Sequence, residues 1–352
     1  MNEIVLNMHM HTRYSDGSGS HRDIASAALQ CGLDAVIVTD HNVRIDGMQR
    51  YVEHRGRRLL FLVGEEIHDR SRIPQKNHLL VLGANSELSP YGEDTDALLR
   101  AIQLSGGLSF IAHPVDPPAP AFHEPDISWE DWSVSGFTGI ELWNGFSELK
   151  SFLPSWIRGF FLALFPVFVA HGPHPKALRL WDDLLARGNC VAVAGSDAHA
   201  LKKHAGPVRR TVFPYKYHFR AINTHVLLDG PLSSDADRDA RSIYAALAAG
   251  RCFLAYDLPK PTRGFAFQAL GRGGNVHMGG HIEGGANVTL SVQAPYPCDI
   301  QLMRDGRRVH TAKHSRILTF EAPQRGTYRV EAYRRYLGAR RTWIISNPIR
   351  VH

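Results

Sequence analysis

Short apolar runs recur through the first two hundred residues, at 4–11, 35–41, 59–67, 78–83, 108–113, 139–143 and 190–197. Stretches of helical period separate several of them, notably 20–32, 94–105 and 176–187. The first has its own punctuation. Ser20 stands as an N-cap, Asp23 follows three residues on, and Gly32 ends the pattern. Gly188 closes the third in the same way. Repeated strand–helix alternation predicts parallel strands with crossover helices, an α/β fold. Seven runs with polar residues at their ends predict a closed or nearly closed barrel. A further apolar run at 225–228 and a helix over 237–250 follow.

Two segments interrupt this rhythm. Residues 116–130 are rich in Pro and acidic residues and predict a loop. Residues 147–175 read as an insertion carrying the most apolar stretch of the chain, FFLALFPVFVA at 160–170. That stretch is shorter than the ~20 residues a bilayer span needs, and Pro166 breaks it. It predicts a buried helix or a lid over a site, with an interfacial membrane contact as the alternative. Phe160, Phe161, Phe165 and Phe168 would then wall an aromatic pocket or fill plain core.

From about residue 265 the period changes to two. Runs at 288–292, 300–303, 317–320, 328–332 and 343–345 are separated by turns such as Asp305-Gly306 and Arg325-Gly326. They predict a small antiparallel β-sandwich. The glycine-rich stretch 271–285 lacks a Lys-Ser/Thr ending and a strand-to-helix context, so it reads as strand turns and not as a phosphate loop. The expected organisation is a barrel over 1–264, with an insertion at about 147–175, and a sandwich over 265–352.

Composition adds little to this picture except through histidine. The 352 residues are 44% hydrophobic and 21% charged, ordinary for a globular chain, and the net charge of +6 suits an anionic small-molecule substrate without requiring one. No basic stripe interleaved with aromatics is present, so nucleic acid is not the expected partner. Cys31, Cys190, Cys252 and Cys298 lie far apart and predict free thiols. The strand pattern begins at about Glu3, which leaves no room for a leader and predicts a cytoplasmic protein.

The 20 histidines are unevenly placed. Asn7, His9 and His11 alternate with Leu6, Met8 and Met10, which would set both imidazoles on one strand face. Asp16 follows in Ser15-Asp16-Gly17. Asp40 and His41 end the second run, Glu65 and Glu66 the third, His113 the fifth, and Asp197 and His199 the seventh, while His78 opens the fourth. Burying so many ionisable groups around one lumen without counter-charge is costly, and divalent ions would supply that charge.

The set HMH, SDG, TDHN, GEEI, NHLL, AHP and GSDAH, in that order over roughly residues 3–200, resembles the PHP superfamily, the polymerase and histidinol phosphatase group. The resemblance implies a distorted (β/α)7 barrel and a site of two to three divalent ions, zinc, manganese or iron. It implies His9, His11, Glu66 and Asp197 around one ion, Glu66 with His78 and His113 around a second, and Asp16, His41 and His199 around a third. Glu65 is the alternative to Glu66. Asp40 would orient a ligand or act as the catalytic acid. The segments THVL at 224–227, AAGR at 248–251 and SNPI at 346–349 resemble the carbaryl-hydrolase-like branch, whose members carry a C-terminal sandwich.

The implied chemistry is hydrolysis by a hydroxide bridging two metals. A phosphoesterase acting on a small phosphorylated molecule is the first expectation, and a carboxylester or carbamate hydrolase the alternative. A nucleic-acid exonuclease or binding module is the third. Arg13, Lys202 and Lys203 lie near the motifs in sequence and are the candidates for contacting an anion.

Overall fold

The computed structural model describes residues 1–205, 208–271, 274–284, 288–321 and 323–352. The side chain of Lys203, and positions 272, 273 and 285 of the glycine-rich stretch, lie outside the described residues.

The N-terminal half runs β1 (Asn2–Met8), α1 (His21–Cys31), β2 (Ala35–Val38), β3 (Arg50–His54), β4 (Arg57–Val63), β5 (Glu65–Ile67), β6 (Leu79–Leu82), α2 (Thr95–Leu104), β7 (Leu108–Ile111) and β8 (Gly139–Asn144). The insertion then contributes α3 (Gly145–Ser151) and α4 (Trp156–Leu164), followed by α5 (Pro175–Arg187) and β9 (Val191–Gly195). The helix punctuation works as expected. Ser20 and Asp23 form a reciprocal capping box, and Gly32 closes α1 at φ 77, with its N–H on the carbonyls of Ala28 and Leu29.

Among the described residues the strands do not close into the expected barrel. Strands β1–β9 fall into two sheets. β1, β2 and β4 pair in parallel, and β3 folds back on β4 as a hairpin through Arg55 and Gly56, both at positive φ. The second sheet has the order β5-β6-β7-β8-β9. Its β5–β6 and β6–β7 pairs are antiparallel, and only β7–β8 and β8–β9 are parallel. For β5–β6 the reason lies in the connection: residues 68–78 contain no helix, and a parallel return needs a crossover of a dozen residues or more. Gly64 breaks the run 59–67 into two strands. A Cβ there would meet the carbonyl oxygen of Val81 at 2.5 Å, so the close approach of the sheets needs glycine. At the other seam, segments 8–11 and 196–198 exchange backbone hydrogen bonds, from Ser196 N to Met8 O, from Asp197 N to His9 O and from His11 N to Ala198 O.

The remainder comprises β10 (Lys202–Ala205), β11 (Val208–Thr211), α6 (Tyr215–Ala221), β12 (Ile222–Leu228), α7 (Ala236–Ala248) and β13 (Cys252–Tyr256). The C-terminal strands are β14 (Ala266–Gly271), β15 (Gly274–His277), β16 (His281–Ile282), β17 (Thr289–Arg304), β18 (Arg307–Glu321), β19 (Gly326–Tyr336), β20 (Ala339–Ser346) and β21 (Ile349–Val351). They are antiparallel, apart from the β16–β21 pair, as the period predicted, and enclose an apolar core that includes Phe267, Leu290, Val330 and Trp343. They do not form a detached sandwich. β13 pairs with both β12 and β20, and β12 pairs with β1, so one sheet runs from the N-terminal strands into the C-terminal ones.

The apolar insertion departs from expectation. Helix α4 buries only Gly159 and Leu162. Trp156, Ile157, Phe160, Phe161 and Phe165 are exposed, Ile157 at 84% and Phe160 at 69%. No helix among the described residues is long and apolar enough to cross a membrane. All four cysteines are free.

Candidate metal centre

The candidate ligands gather where the two sheets meet. β1 ends at Met8, and His9 turns into the left-handed region at φ 61. His113 and Asp197, each just past the end of a strand, do the same at φ 28 and 50. The expectation that His9 and His11 share a face of one continuous strand is therefore corrected. The ladder stops before them, and the backbone turn aims both imidazoles at the same point.

Glu66 stands at that point. Its Oε2 lies 3.0 Å from His9 Nε2, 3.2 Å from His11 Nε2 and 3.2 Å from His41 Nδ1. Its Oε1 lies 2.8 Å from His78 Nδ1 and 3.0 Å from His113 Nε2. The carboxylate thus divides its oxygens between two groups of imidazoles. Glu65, its neighbour on β5, points the other way and accepts from the backbone N–H of Leu88 at 3.0 Å.

Three sets of donor atoms lie within 4.8 Å of one another: His9, His11, Glu66 and Asp197; His11, Asp16, His41 and His199; and His41, Glu66 and His78. These sets hold eight of the nine side chains singled out from the sequence, the ninth, His113, joins them through Glu66 Oε1 at 3.0 Å, and His11, His41 and Glu66 each belong to two sets. His11 turns Nε2 to Asp197 at 3.2 Å and Nδ1 towards Asp16 at 3.9 Å. His41 turns Nδ1 to Glu66 and Nε2 to Asp16, the latter at 3.7 Å. Asp16 is the most open member, its side chain 57% exposed, and meets His199 Nε2 at 3.2 Å.

The residues fit divalent ions. Two ligands at ~2.1 Å from one tetrahedral ion are separated by ~3.4 Å, and the N···O separations here run from 2.8 to 3.9 Å. Among the described residues, neither ring nitrogen of His11 finds a partner in hydrogen-bond geometry, although carboxylate oxygens surround it, and His41 Nδ1, His78 Nε2 and His113 Nδ1 are likewise unpartnered. The electrostatics call for cations. Burial opposes the charged forms of Glu66 and Asp197, yet the surrounding imidazoles hold both well below the ordinary carboxylate range. Burial likewise opposes protonation of His11, but Asp197 and Glu66 push it up to about 10. At His78 burial wins and lowers it to about 4. A divalent ion would replace protons as the counter-charge of such a set.

Three supporting residues escaped the sequence reading. Glu141 on β8 accepts from His9 Nδ1 at 2.8 Å through Oε1, and through Oε2 from the His113 backbone at 2.9 Å and Asn144 Nδ2 at 2.8 Å. Gly195 leaves it room, because a Cβ there would stand 1.8 Å from Glu141 Oε1. Asn144 also caps α3 through its Oδ1. His68 stacks on His78 with ring centroids 4.4 Å apart. A signal for Glu141 existed, since it is the one charged residue inside the run GIELW at 139–143.

Asp40 is held by the loop at 12–15. Its Oδ1 accepts from Thr12 N at 2.6 Å and Ser15 Oγ at 2.8 Å, and its Oδ2 from Thr12 Oγ1 at 2.7 Å. It thereby fastens the loop that carries Asp16. Ser196 donates to the carbonyl of His9 at 2.8 Å and is wholly buried.

A cavity of about 270 Å³ adjoins the cluster at His113, Glu141 and Asn144. Phe152, His171 and Thr342 form its outer wall. Of the phenylalanines weighed for such a wall, Phe160, Phe161, Phe165 and Phe168, none lines it; Phe160 and Phe161 stand exposed on α4 and Phe165 just beyond its end. Glu148 fixes the wall by accepting from Trp143 Nε1 at 2.7 Å and from the backbone of His171 at 2.5 Å and Gly172 at 2.9 Å.

Residues 7–94 match the PHP domain family. A search of curated proteins gives no match. In structure the chain is similar to a two-domain protein from Bacteroides vulgatus described as containing a predicted PHP-like metal-dependent phosphoesterase. The identity is 17% and the TM-score 0.48, over 99% of this chain and 95% of that one. It is also similar to a proposed metal-dependent phosphoesterase from Bifidobacterium adolescentis, at 15% identity and a TM-score of 0.36, over 60% of this chain and 93% of that one. His9, His11, Asp16, His41, Glu66 and His78 all lie inside the segment 7–94 that matches the PHP domain family.

Proposed function

We propose that the chain is a metal-dependent hydrolase whose substrate is a small phosphate ester, with His9, His11, Asp16, His41, Glu66, His78, His113, Asp197 and His199 as the metal ligands. The observation that carries this reading is Glu66, one oxygen facing His9, His11 and His41 and the other facing His78 and His113. Divalent ions held there supply the acidity that makes water nucleophilic near neutral pH and neutralise charge on the phosphoryl oxygens.

The protein's own groups prepare that chemistry. Glu141 accepts a hydrogen bond from His9 Nδ1–H and so leaves Nε2 free to ligate. Asp40 holds the 12–16 loop so that Asp16 faces His199 and His41. The adjoining cavity would receive the leaving group. Its wall of Val115, Pro114, Phe152 and Pro173 favours an apolar or aromatic one. The same wall suits an aryl carbamate or ester, as in the carbaryl-hydrolase-like branch, and this is the second reading. In either case we read residues 1–264 as the hydrolytic unit and 265–352 as accessory to it.

The test is a substrate panel with manganese, zinc or iron added in turn. It sets aryl phosphate mono- and diesters and nucleotides against aryl N-methylcarbamates and acetates. Metal-dependent release from a phosphate ester, abolished by chelation and restored by metal, is expected. Carbamate turnover without phosphate turnover would favour the second reading, and full activity in metal-free protein would end both.

A further inference from the structure

A second and larger cleft, of about 640 Å³, lies between α1 and the β3–β4 hairpin. Arg13, Arg22 and Arg50 line it with His21 and His54, and Glu53 is the one carboxylate in its wall. Some arginines elsewhere stand against acids, as Arg263 does with Asp34 at 2.6 Å, Arg329 with Asp182 at 3.0 Å and Arg44 with Asp46 at 3.1 Å. Among the described residues, Arg13, Arg22 and Arg50 have no ion pair. Like charges converging on a concavity repel one another and focus a positive potential into it. The neighbouring imidazole registers that potential. Burial first, then Arg50 and Arg13, hold His21 below its ordinary value against the pull of Asp40.

The cleft is tied to the metal cluster by a single loop. Residues 12–16 give Arg13 and Tyr14 to the cleft and Asp16 to the cluster, and Asp40 fixes that loop through Thr12 and Ser15. Tyr14 stacks on His21 with centroids 5.3 Å apart, which gives the cleft a flat wall beside its charges.

We infer that the cleft between α1 and the β3–β4 hairpin is an anion-binding site, in which Arg13, Arg22 and Arg50 grip a phosphate or carboxylate group. Guanidinium forks suit both groups through paired N–H donors. The group is either carried by the substrate away from the bond that breaks or belongs to a separate small anion. The inference does not depend on the hydrolytic reading.

The experiment titrates the metal-loaded protein with sulfate and follows the side-chain Nε–Hε resonances of Arg13, Arg22 and Arg50, with chloride at matched ionic strength as control. A saturable shift with sulfate alone is expected, weakened at least tenfold in Arg22→Gln/Arg50→Gln. Sulfate held at the metal cluster would not titrate these resonances in step. A response equal to that of chloride, or one unchanged in the double variant, would overturn the site. Two aryl phosphates, one with a distal carboxylate and one without, then separate the sources. A rise in KM of the double variant for the carboxylated compound alone, with kcat unchanged, assigns the site to the substrate. Loss of sulfate binding with both KM values unchanged assigns it to a separate anion.

Discussion

The amide of Asp197 donates to the carbonyl of His9 at 2.7 Å, and each of these residues sits in the left-handed region, at φ 50 and 61. Such a conformation costs a non-glycine residue about 1–3 kcal/mol. Two strands from different sheets therefore end together and turn their last polar side chains inward, where His9 Nε2 and Asp197 Oδ1 stand 3.5 Å apart. The strain sits at the positions that would hold the metal, and the backbone hydrogen bond between them keeps it in place.

Gly195 precedes this turn and is the tightest point of the support. Gly195→Ala would drive a methyl group into Glu141 Oε1 and His9 Cβ, the latter at 2.8 Å. Overpacking of this kind costs about 1–3 kcal/mol, so chemical denaturation should show a loss of that order. Bound metal, measured by elemental analysis, should fall with it.

Glu141→Gln keeps the shape but removes the charge that orients His9. A metal affinity lowered by about 10- to 100-fold is expected, measured by competition with a chelator. The effect should exceed that of Asp40→Asn, because Asp40 acts through a loop and Glu141 through the ligand itself.

Away from the site, His225 on β12 bridges two acids, with Nδ1 2.5 Å from Glu3 and Nε2 3.0 Å from Asp257. Burial opposes its protonation, yet Asp257 and Glu3 raise its pKa to about 9. A folded-state pKa above the unfolded value near 6.5 stabilises the protein below that value and loses its effect as pH rises through about 9. The upper bound is on the order of 3 kcal/mol. His225→Gln should therefore flatten stability against pH between 6.5 and 9 in urea titrations; an unchanged slope would remove this account.

Lys150 and Asp116 form a fully buried ion pair that joins α3 to the acidic loop at 116–130, with Ser147 as a further donor. Lys150→Met would strand a buried carboxylate and cost about 3–5 kcal/mol. Adding Asp116→Leu should recover most of that loss, since the penalty comes from the unpaired charge. Thermal unfolding of the single and double variants measures the difference.

The motif residues were legible because metal chemistry restricts them to a few side-chain types. His9, His11, Glu66 and Asp197 declare themselves by identity and by position at the ends of apolar runs. Glu141 declared itself only faintly, because a single acid in a strand is compatible with many roles. The cleft of Arg13, Arg22 and Arg50 could not be read at all, since its members come from a loop, a helix and a hairpin strand whose pairing is a matter of tertiary structure.

By itself the sequence determined the local elements and the metal-binding character. Capping at Ser20, the stop at Gly32, the period-two strands of the C-terminal part and the histidine–carboxylate set all follow from short-range chemistry. Tertiary structure alone decided how the strands associate. The helix-free segment 68–78 forces antiparallel pairing, Gly64 splits a strand, and β13 joins the N-terminal strands to the C-terminal ones in one sheet. It also decided that the most apolar helix faces outward and that Glu66 rather than Glu65 occupies the centre. Local sequence sets what each segment can form. The partner for a strand edge or an imidazole is chosen by burial and charge summed over residues far apart in the chain.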